Sequence, residues 1–542
     1  MSPSEPQIDC LLIGHNQMAF EEYAAYLRAT GERSGAHRDV RLSYWERDGR
    51  AVTFRDYCND LMERRGEPGD LSYDDMLGAT STYLGSFLHR RGHSFDFINS
   101  FREGRDRLRA LLAQGRVRCV AVTTTYYVSA LQLVEVIEFV RAVDPRVPIV
   151  VGGPFVHTQH RLHDTASFHF LLKQIGADVY VVGNEGEATL ARLLGAMKAN
   201  GDRTNGNRPN GIDDVPNLVR RVGATMVATP IVPEANALED NMIDWRLFAG
   251  RGPGRARRML MVRTAKSCPF SCSFCSFPEH AGAYTYLSPE RVLEDLDAID
   301  ALGWVESVTF VDDTFNIPHG RFRTLLRGMA QRRYAFRWNC NFRCQYATEE
   351  VVALMKEAGC EGVFLGIESG SDAILATMNK RARAAEYRRG LALLRSAGIP
   401  TYASFVVGFP GETSETVEET IDFIEDAAPD FYRAQLWYYD LLTPIHREAG
   451  KYGLRNSQFE WSHATMTAEI AADWVDRMHA TIRASVWLPQ NDFDFPGLFC
   501  LLGRGWSVAQ IKDAARAFNA RVRDGIARRD AEAYTTRALL HA

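Results

Sequence analysis

Three cysteines stand close together in Cys268-Pro-Phe-Ser-Cys272-Ser-Phe-Cys275, shortly after the apolar run Met259–Val262. The spacing is C-x3-C-x2-C, which puts three thiolates on one short loop. Three thiolates can hold three irons of a [4Fe–4S] cube and leave the fourth iron open, whereas clusters that only carry electrons have a fourth cysteine. An open iron points to chemistry at the metal itself. The other reading is a zinc loop or unrelated buried thiols. Structural zinc wants four ligands, usually in close pairs, and the nearest histidine, His280, stands at an unusual spacing. Cys10, Cys58, Cys119, Cys340, Cys344, Cys360 and Cys500 are scattered.

Such a loop needs a scaffold. Residues 8–198 alternate short apolar runs (10–14, 94–98, 119–123, 149–152, 179–183) with helical patterns at 74–91, 129–143 and 187–198. This alternation predicts an α/β, doubly wound parallel sheet of Rossmann-like type, with ligands at the carboxyl ends of the strands. Those ends hold Asn16, Thr123, Thr124, Thr125, Tyr126, Gly152, Gly153, Gly183 and Glu185. Residues 20–73 read as an insertion, and 200–211 as a polar glycine-rich linker inside a linker-and-hairpin segment, 199–250. Arg251, Arg255, Arg257 and Arg258 form a basic run that reads as a solvated face or domain contact. From 259 to 440 a second alternation of six β/α units predicts an open, partial (β/α)6 barrel within residues 251–450, its site at the strand ends. Residues 451–542 read as a mostly helical domain broken at Gly503-Arg-Gly505.

This arrangement resembles the radical S-adenosylmethionine (SAM) superfamily, and its pairing with the first domain resembles the cobalamin-binding methyltransferase branch. Cys268, Cys272, Phe274 and Cys275 match the superfamily motif, an aromatic preceding the third cysteine. The resemblance implies SAM chelating the open iron through its amino and carboxyl groups. Asp312 and Asp313, in Phe310-Val-Asp-Asp-Thr-Phe315, are then candidates for its ammonium, with a pair of helix-capping acids as the other reading. Arg343 is a candidate for its carboxylate or for a structural ion pair. Gly366-Ile-Glu-Ser-Gly-Ser-Asp372 is similar to the family's ribose-binding segment, with Glu368 on the hydroxyls and Ser369 beside it. Gly408-Phe-Pro-Gly-Glu-Thr413 resembles the adenine-contacting turn, or is a plain strand-to-helix turn with Glu412 near a helix N-terminus.

Residues 8–198 resemble cobalamin modules, but the D-x-H-x-x-G ligand motif is absent. Asp9 and His15 stand at the wrong spacing, so no protein histidine is expected on cobalt. Tyr126 and Tyr127 are candidates to pack on its lower face or are ordinary helix-start aromatics, and His157 reads as a surface loop histidine, with a cobalt or tail contact as the other reading. The opening residues 9–23 resemble a subgroup that includes the phosphinothricin P-methyltransferase and the aminocoumarin pyrrole C-methyltransferase. The implied activity is methylation of a small-molecule carbon or phosphinate centre in antibiotic-type biosynthesis. It proceeds through a 5′-deoxyadenosyl radical and methylcobalamin, with a flavodoxin- or ferredoxin-type electron donor. The alternative is a cobalamin-dependent cyclase or rearrangement catalyst. No catalytic acid or base is required.

The bulk properties agree. The chain has 542 residues, is 46% hydrophobic and 24% charged, and carries a net charge of −5. That balance argues against nucleic acid held by bulk charge. Neither a signal peptide nor a membrane-length apolar run is legible, and ten dispersed cysteines are no disulfide framework, so a cytoplasmic protein is expected. Trp437, Tyr438, Tyr439, Trp461 and His463 are candidates for substrate lining or for core.

Overall fold

The computed structural model describes residues 7–71, 77–127, 129–199, 211–250, 258–489, 491–493 and 495–540, with side chains described up to 528. Most of the glycine-rich linker, with Arg251, Arg255 and Arg257, lies outside the described residues.

The N-terminal half contributes β1 (Cys10–His15), the hairpin β2 (Tyr44–Arg47) and β3 (Arg50–Thr53), then β4 (Phe95–Ser100), β5 (Val120–Thr123), β6 (Ile149–Gly152), β7 (Val179–Val181), β8 (Leu218–Val222) and β9 (Thr225–Ala228). The main sheet runs β4-β1-β5-β6-β7-β8-β9. Its first five strands are parallel, and β8 and β9 add antiparallel. The order reverses between β1 and β5, which opens a crevice at their carboxyl ends. Leu11, Ile13, Val120, Val122, Ile149 and Val151 are buried on one face under Leu133, Val136 and Val140 of the helix Ala130–Val143. Runs buried on both faces are what a sheet with helices on both sides demands.

The second half contributes β10 (Met259–Val262), β11 (Ala265–Lys266), β12 (Thr285–Tyr286), β13 (Ser307–Phe310), β14 (Arg337–Asn341), β15 (Cys360–Glu368), β16 (Thr401–Val407), β17 (Phe431–Leu436) and β18 (Val486–Trp487). The order β10-β13-β14-β15-β16-β17-β18 is parallel throughout, with no pairing between β10 and β18, so the barrel is open. The six expected strands are present. β18, from the segment read as helical, is an addition: a two-residue strand without its own periodicity is invisible to pattern reading.

The described part of the 20–73 insertion, residues 20–71, has a structural task. Trp45, Phe54 and Tyr57 share a core with Phe493 and Phe518 of the C-terminal segment. Arg38 pairs with Asp473 at 2.6 Å and with Asp476, fastening the short helix Gly35–Val40 to the helix Ala468–Thr481. The helix Phe495–Gly503 closes the start of the barrel, where Phe499 packs against Gly362 and Cys500 Sγ lies 3.6 Å from Met259 Sδ.

Candidate functional site

The cysteine loop leaves β11 through Ser267, whose φ of 67° is in the left-handed region, a strained conformation for a residue with a Cβ. Cys272 is buried, while Cys268 and Cys275 are half-buried, and all three are free thiols. Burial raises the Cys268 pKa and pushes that of Cys275 up to about 12, and neighbouring cysteine charge adds to both shifts. The remaining seven cysteines are buried. A trio of reachable soft donors fits a cluster held at three corners, since binding metal displaces the thiol protons.

The turn Met378–Arg381 cradles this loop. Ser273 N–H donates to Met378 O at 2.9 Å, and Asn379 Nδ2 donates to Ser271 O at 2.8 Å. Asn379 and Arg381 both have positive φ, 50° and 53°. Lys380, between them, donates to Glu368 Oε1 at 2.8 Å and stands 5.4 Å from the centre of the Phe274 ring. Glu368 follows a bulge in β15 and has φ 69°. Gly366 makes the room for this pair, because a Cβ there would stand 2.6 Å from Glu368 Oε1. Strain collected around one loop is typical of functional sites. Lys380 and Asn379 belong to no motif, so sequence reading missed them.

Two residues expected as SAM contacts, Asp312 and Arg343, are engaged by the protein itself. Asp312 is buried and accepts from Thr264 N–H at 2.7 Å, Ala265 N–H at 3.0 Å and the Thr264 hydroxyl. Arg321 donates to the same Thr264 hydroxyl at 2.7 Å. Asp312 therefore braces the strand that carries the cysteines and has little acceptor capacity left for an ammonium. Arg343 is buried, stacks 3.6 Å over Phe270 and donates to Lys380 O, so it props the cradle instead of facing a carboxylate. Asp313 is exposed in the mouth. Crowding by protein and the charge of Asp312 push its pKa up to about 6. Ser369 is fully buried; its Oγ lies 3.2 Å from Thr420 Oγ1 and accepts from Ser371 N–H at 3.1 Å, which pins the loop to the helix Ser414–Ala427. Glu412 accepts from Gly408 N–H at 2.5 Å, which is the plain-turn role. Trp437, Tyr439, Trp461 and His463 are buried together, His463 stacked on Trp461 at 5.2 Å; of the aromatics proposed as lining, Tyr438 alone is exposed.

At the other sheet, Thr123 Oγ1 donates to Ile13 O and Gly14 O at 3.2 Å, and Thr124 Oγ1 to Gly152 O at 2.9 Å. These hydroxyls tie the strand ends together. Asn16 is tied to the helix Ala130–Val143, with Nδ2 donating to Gln132 O at 3.0 Å and Gln132 Nε2 donating back to Asn16 O at 2.8 Å, while its Oδ1 is buried without a partner among the described residues. Thr125 and Tyr126 are exposed. Gly152 ends β6, and Gly153 opens the next helix at φ 110°. A Cβ at Gly153 would stand 2.9 Å from Thr124 Oγ1. Around these ends, Tyr127 Oη, His157 Nδ1 and Glu185 Oε2 are buried without a partner among the described residues. Orphaned polar atoms beside a glycine turn fit a bulky ligand with polar groups.

The two strand-end faces oppose each other. Tyr126 Oη lies 3.9 Å from Met261 Sδ of β10. Glu185, beyond β7 and Gly183, pairs with Lys266 of β11, two residues before Cys268. The His157 ring meets the His280 ring edge-on at 5.6 Å, five residues past Cys275. Arg161 and Arg447 both reach Glu279.

Comparison with known proteins agrees with that geometry. Residues 262–424 match the model of the radical SAM superfamily, and residues 75–194 match that of the B12 binding domain. The chain carries a radical SAM domain behind a B12-binding domain. A radical SAM domain works with a [4Fe–4S] cluster and SAM, and a B12-binding domain with cobalamin. β1 lies outside the matched B12 segment yet sits second in its sheet. The anaerobic magnesium-protoporphyrin IX monomethyl ester cyclase of Rubrivivax gelatinosus is 26% identical over 319 residues, 58% of this chain and 54% of that protein. The bacteriochlorophyllide d C-12(1)-methyltransferase of Chlorobaculum tepidum is 30% identical over 193 residues, 35% of this chain and 41% of that one. The chain thus spans about half the length of these curated relatives, or less. Among solved structures, the radical SAM methyltransferase TsrM of Kitasatospora setae, with cobalamin and [4Fe–4S] cluster bound, superposes with TM-score 0.54 at 21% identity, covering 71% of this chain and 78% of that one. The cobalamin-dependent SAM radical enzyme OxsB gives TM-score 0.53 at 14% identity, covering 87% and 56%. Both likenesses bear on the fold.

Proposed function

We propose that this protein is a cobalamin-dependent radical SAM methyltransferase that acts on a carbon or phosphinate centre of a small molecule. The observation that carries the reading is the apposition of Glu185, Tyr126 and His157 to Lys266, Met261 and His280, which turns one sheet's ligand crevice onto the mouth holding the cysteine loop. The cofactors supply the radical and the methyl group. Cys268, Cys272 and Cys275 hold the cluster. Phe274, Glu368 and Lys380, with Asp313 at the rim, orient the nucleotide. Thr125, Tyr126, Gly153, His157 and Glu185 form the polar surround of cobalamin.

The domains are read as 8–198 for cobalamin, 251–450 for the barrel and 451–542 for closure, joined by 199–250. A flavodoxin or ferredoxin is the electron donor, the compartment is the cytoplasm, and nucleic acid is not a partner. No described helix is long and apolar enough to cross a membrane.

Anaerobically reconstituted protein, supplied with reductant and SAM, is expected to release 5′-deoxyadenosine. With a substrate it should give S-adenosylhomocysteine and a product heavier by one methyl group. A cyclase reading is supported by the relatives named as ring cyclases. Product formation without S-adenosylhomocysteine and without added methyl would favour it.

A further inference from the structure

β17 turns alternate residues into the barrel. Tyr432 faces outward, its hydroxyl donating to Met478 O at 2.9 Å, so Arg433 and Gln435 face inward. Arg433 is half-buried and pairs in register with Ser404 on β16, whose own register partner is Gly366 on β15. Its Nε donates to Ser404 Oγ at 3.3 Å, and its guanidinium lies 5.5 Å from the centre of the Phe364 ring. Among the described residues no carboxylate lies within 4.0 Å of it, and its Nη groups have no hydrogen-bond partner. Asp39, on the helix Gly35–Val40 beside the part of β17 beyond its pairing with β18, is buried; that burial pushes its pKa up to about 6, opposed by the Leu436 N–H it accepts from at 3.4 Å and by the charge of Arg433. The Gln435 amide also makes no hydrogen bond among the described residues. Thr309 Oγ1, on the inner face of β13, is buried without a partner among the described residues.

A cation turned into a chamber with no described carboxylate in contact is expensive. Guanidinium is also the side chain whose fork matches an oxyanion with two parallel hydrogen bonds. We propose that Arg433 anchors the substrate by gripping an oxyanion, a carboxylate or phosphinate, deep in the barrel, with Ser404, Gln435 and Thr309 as further polar contacts. This rests on reading the barrel as the substrate chamber, and it adds the substrate's charge class. The site lies on β17, apart from the Glu368–Lys380 pair that follows β15.

Phenylglyoxal labelling of anaerobically reconstituted holoenzyme tests it, with the Arg433 peptide quantified by mass spectrometry. The probes are phenylphosphinate, phenylacetate, neutral phenylacetamide, and SAM alone. Arg433 should label, and near nine-tenths occupancy either acid should slow labelling about tenfold by mass action. The acid that protects at lower concentration identifies the oxyanion class. Equal protection by phenylacetamide, protection by SAM alone, or no protection by either acid overturns the proposal. The readout needs no turnover, so failure of the methyltransferase reading would appear separately, as absent S-adenosylhomocysteine.

Discussion

Lys380 lies 2.8 Å from Glu368, both side chains about nine-tenths buried, in the turn that also holds the cysteine loop. One ion pair thus couples the end of β15 to the cluster cradle. Removing one partner of a buried pair strands the other charge, at about 3–5 kcal/mol. Lys380→Met should lower the denaturation midpoint accordingly and weaken SAM binding, read by calorimetry on the reconstituted protein. Glu368→Gln keeps a hydrogen-bond acceptor for Lys380 and should cost less stability while still weakening SAM binding. Equal stability of Lys380→Met and wild type would remove the coupling argument.

Cys268→Ala, Cys272→Ala or Cys275→Ala should each lower iron content after anaerobic reconstitution and abolish 5′-deoxyadenosine formation. The other seven cysteines are packed in the interior, so Cys500→Ala should retain both. Triple-alanine protein that still cleaved SAM would end the cluster assignment.

Gly153 sits at φ 110°, and a side chain there would crowd Thr124. Gly153→Ala combines strain of about 1–3 kcal/mol with a shifted strand-end turn. Cobalamin retention after desalting, followed by visible absorbance, should drop well before iron content does. Equal loss of both would mean global unfolding, and unchanged retention would place cobalamin elsewhere.

Glu412 is buried, and that burial pushes its pKa up to about 8 against an ordinary 4.5, opposed by the Gly408 and Phe409 N–H groups. The folded state binds the proton more tightly than the unfolded chain. Its contribution is therefore fully present below about pH 4.5 and is lost as pH rises toward about 8. Glu412→Gln should flatten this part of the stability-versus-pH curve measured by thermal melts. An unchanged slope would mean the carboxyl ionises without cost.

Much of the site was legible because its chemistry is local. The C-x3-C-x2-C spacing puts three thiols on one short loop, so Cys268, Cys272 and Cys275 stand out by spacing alone. The strands did so too, since parallel strands covered on both faces read as short apolar runs between helical periods. The roles of single polar residues were not legible. Asp312, Arg343 and Ser369 carry the right chemistry, yet each is turned to the protein's own backbone or side chains. Which way a side chain at a strand end points depends on neighbours distant in sequence.

By itself, then, the order of residues determined the three-cysteine loop, the two strand–helix alternations and the residues at the strand ends of both sheets, because periodicity and spacing are short-range properties. Tertiary structure alone decided that Glu185 meets Lys266, that the turn at Lys380 cradles the cysteines, that residues 20–71 pack on the C-terminal helices, and that no carboxylate of the described residues touches Arg433. Those facts depend on which surfaces pack together, and packing joins groups hundreds of residues apart that no local pattern connects.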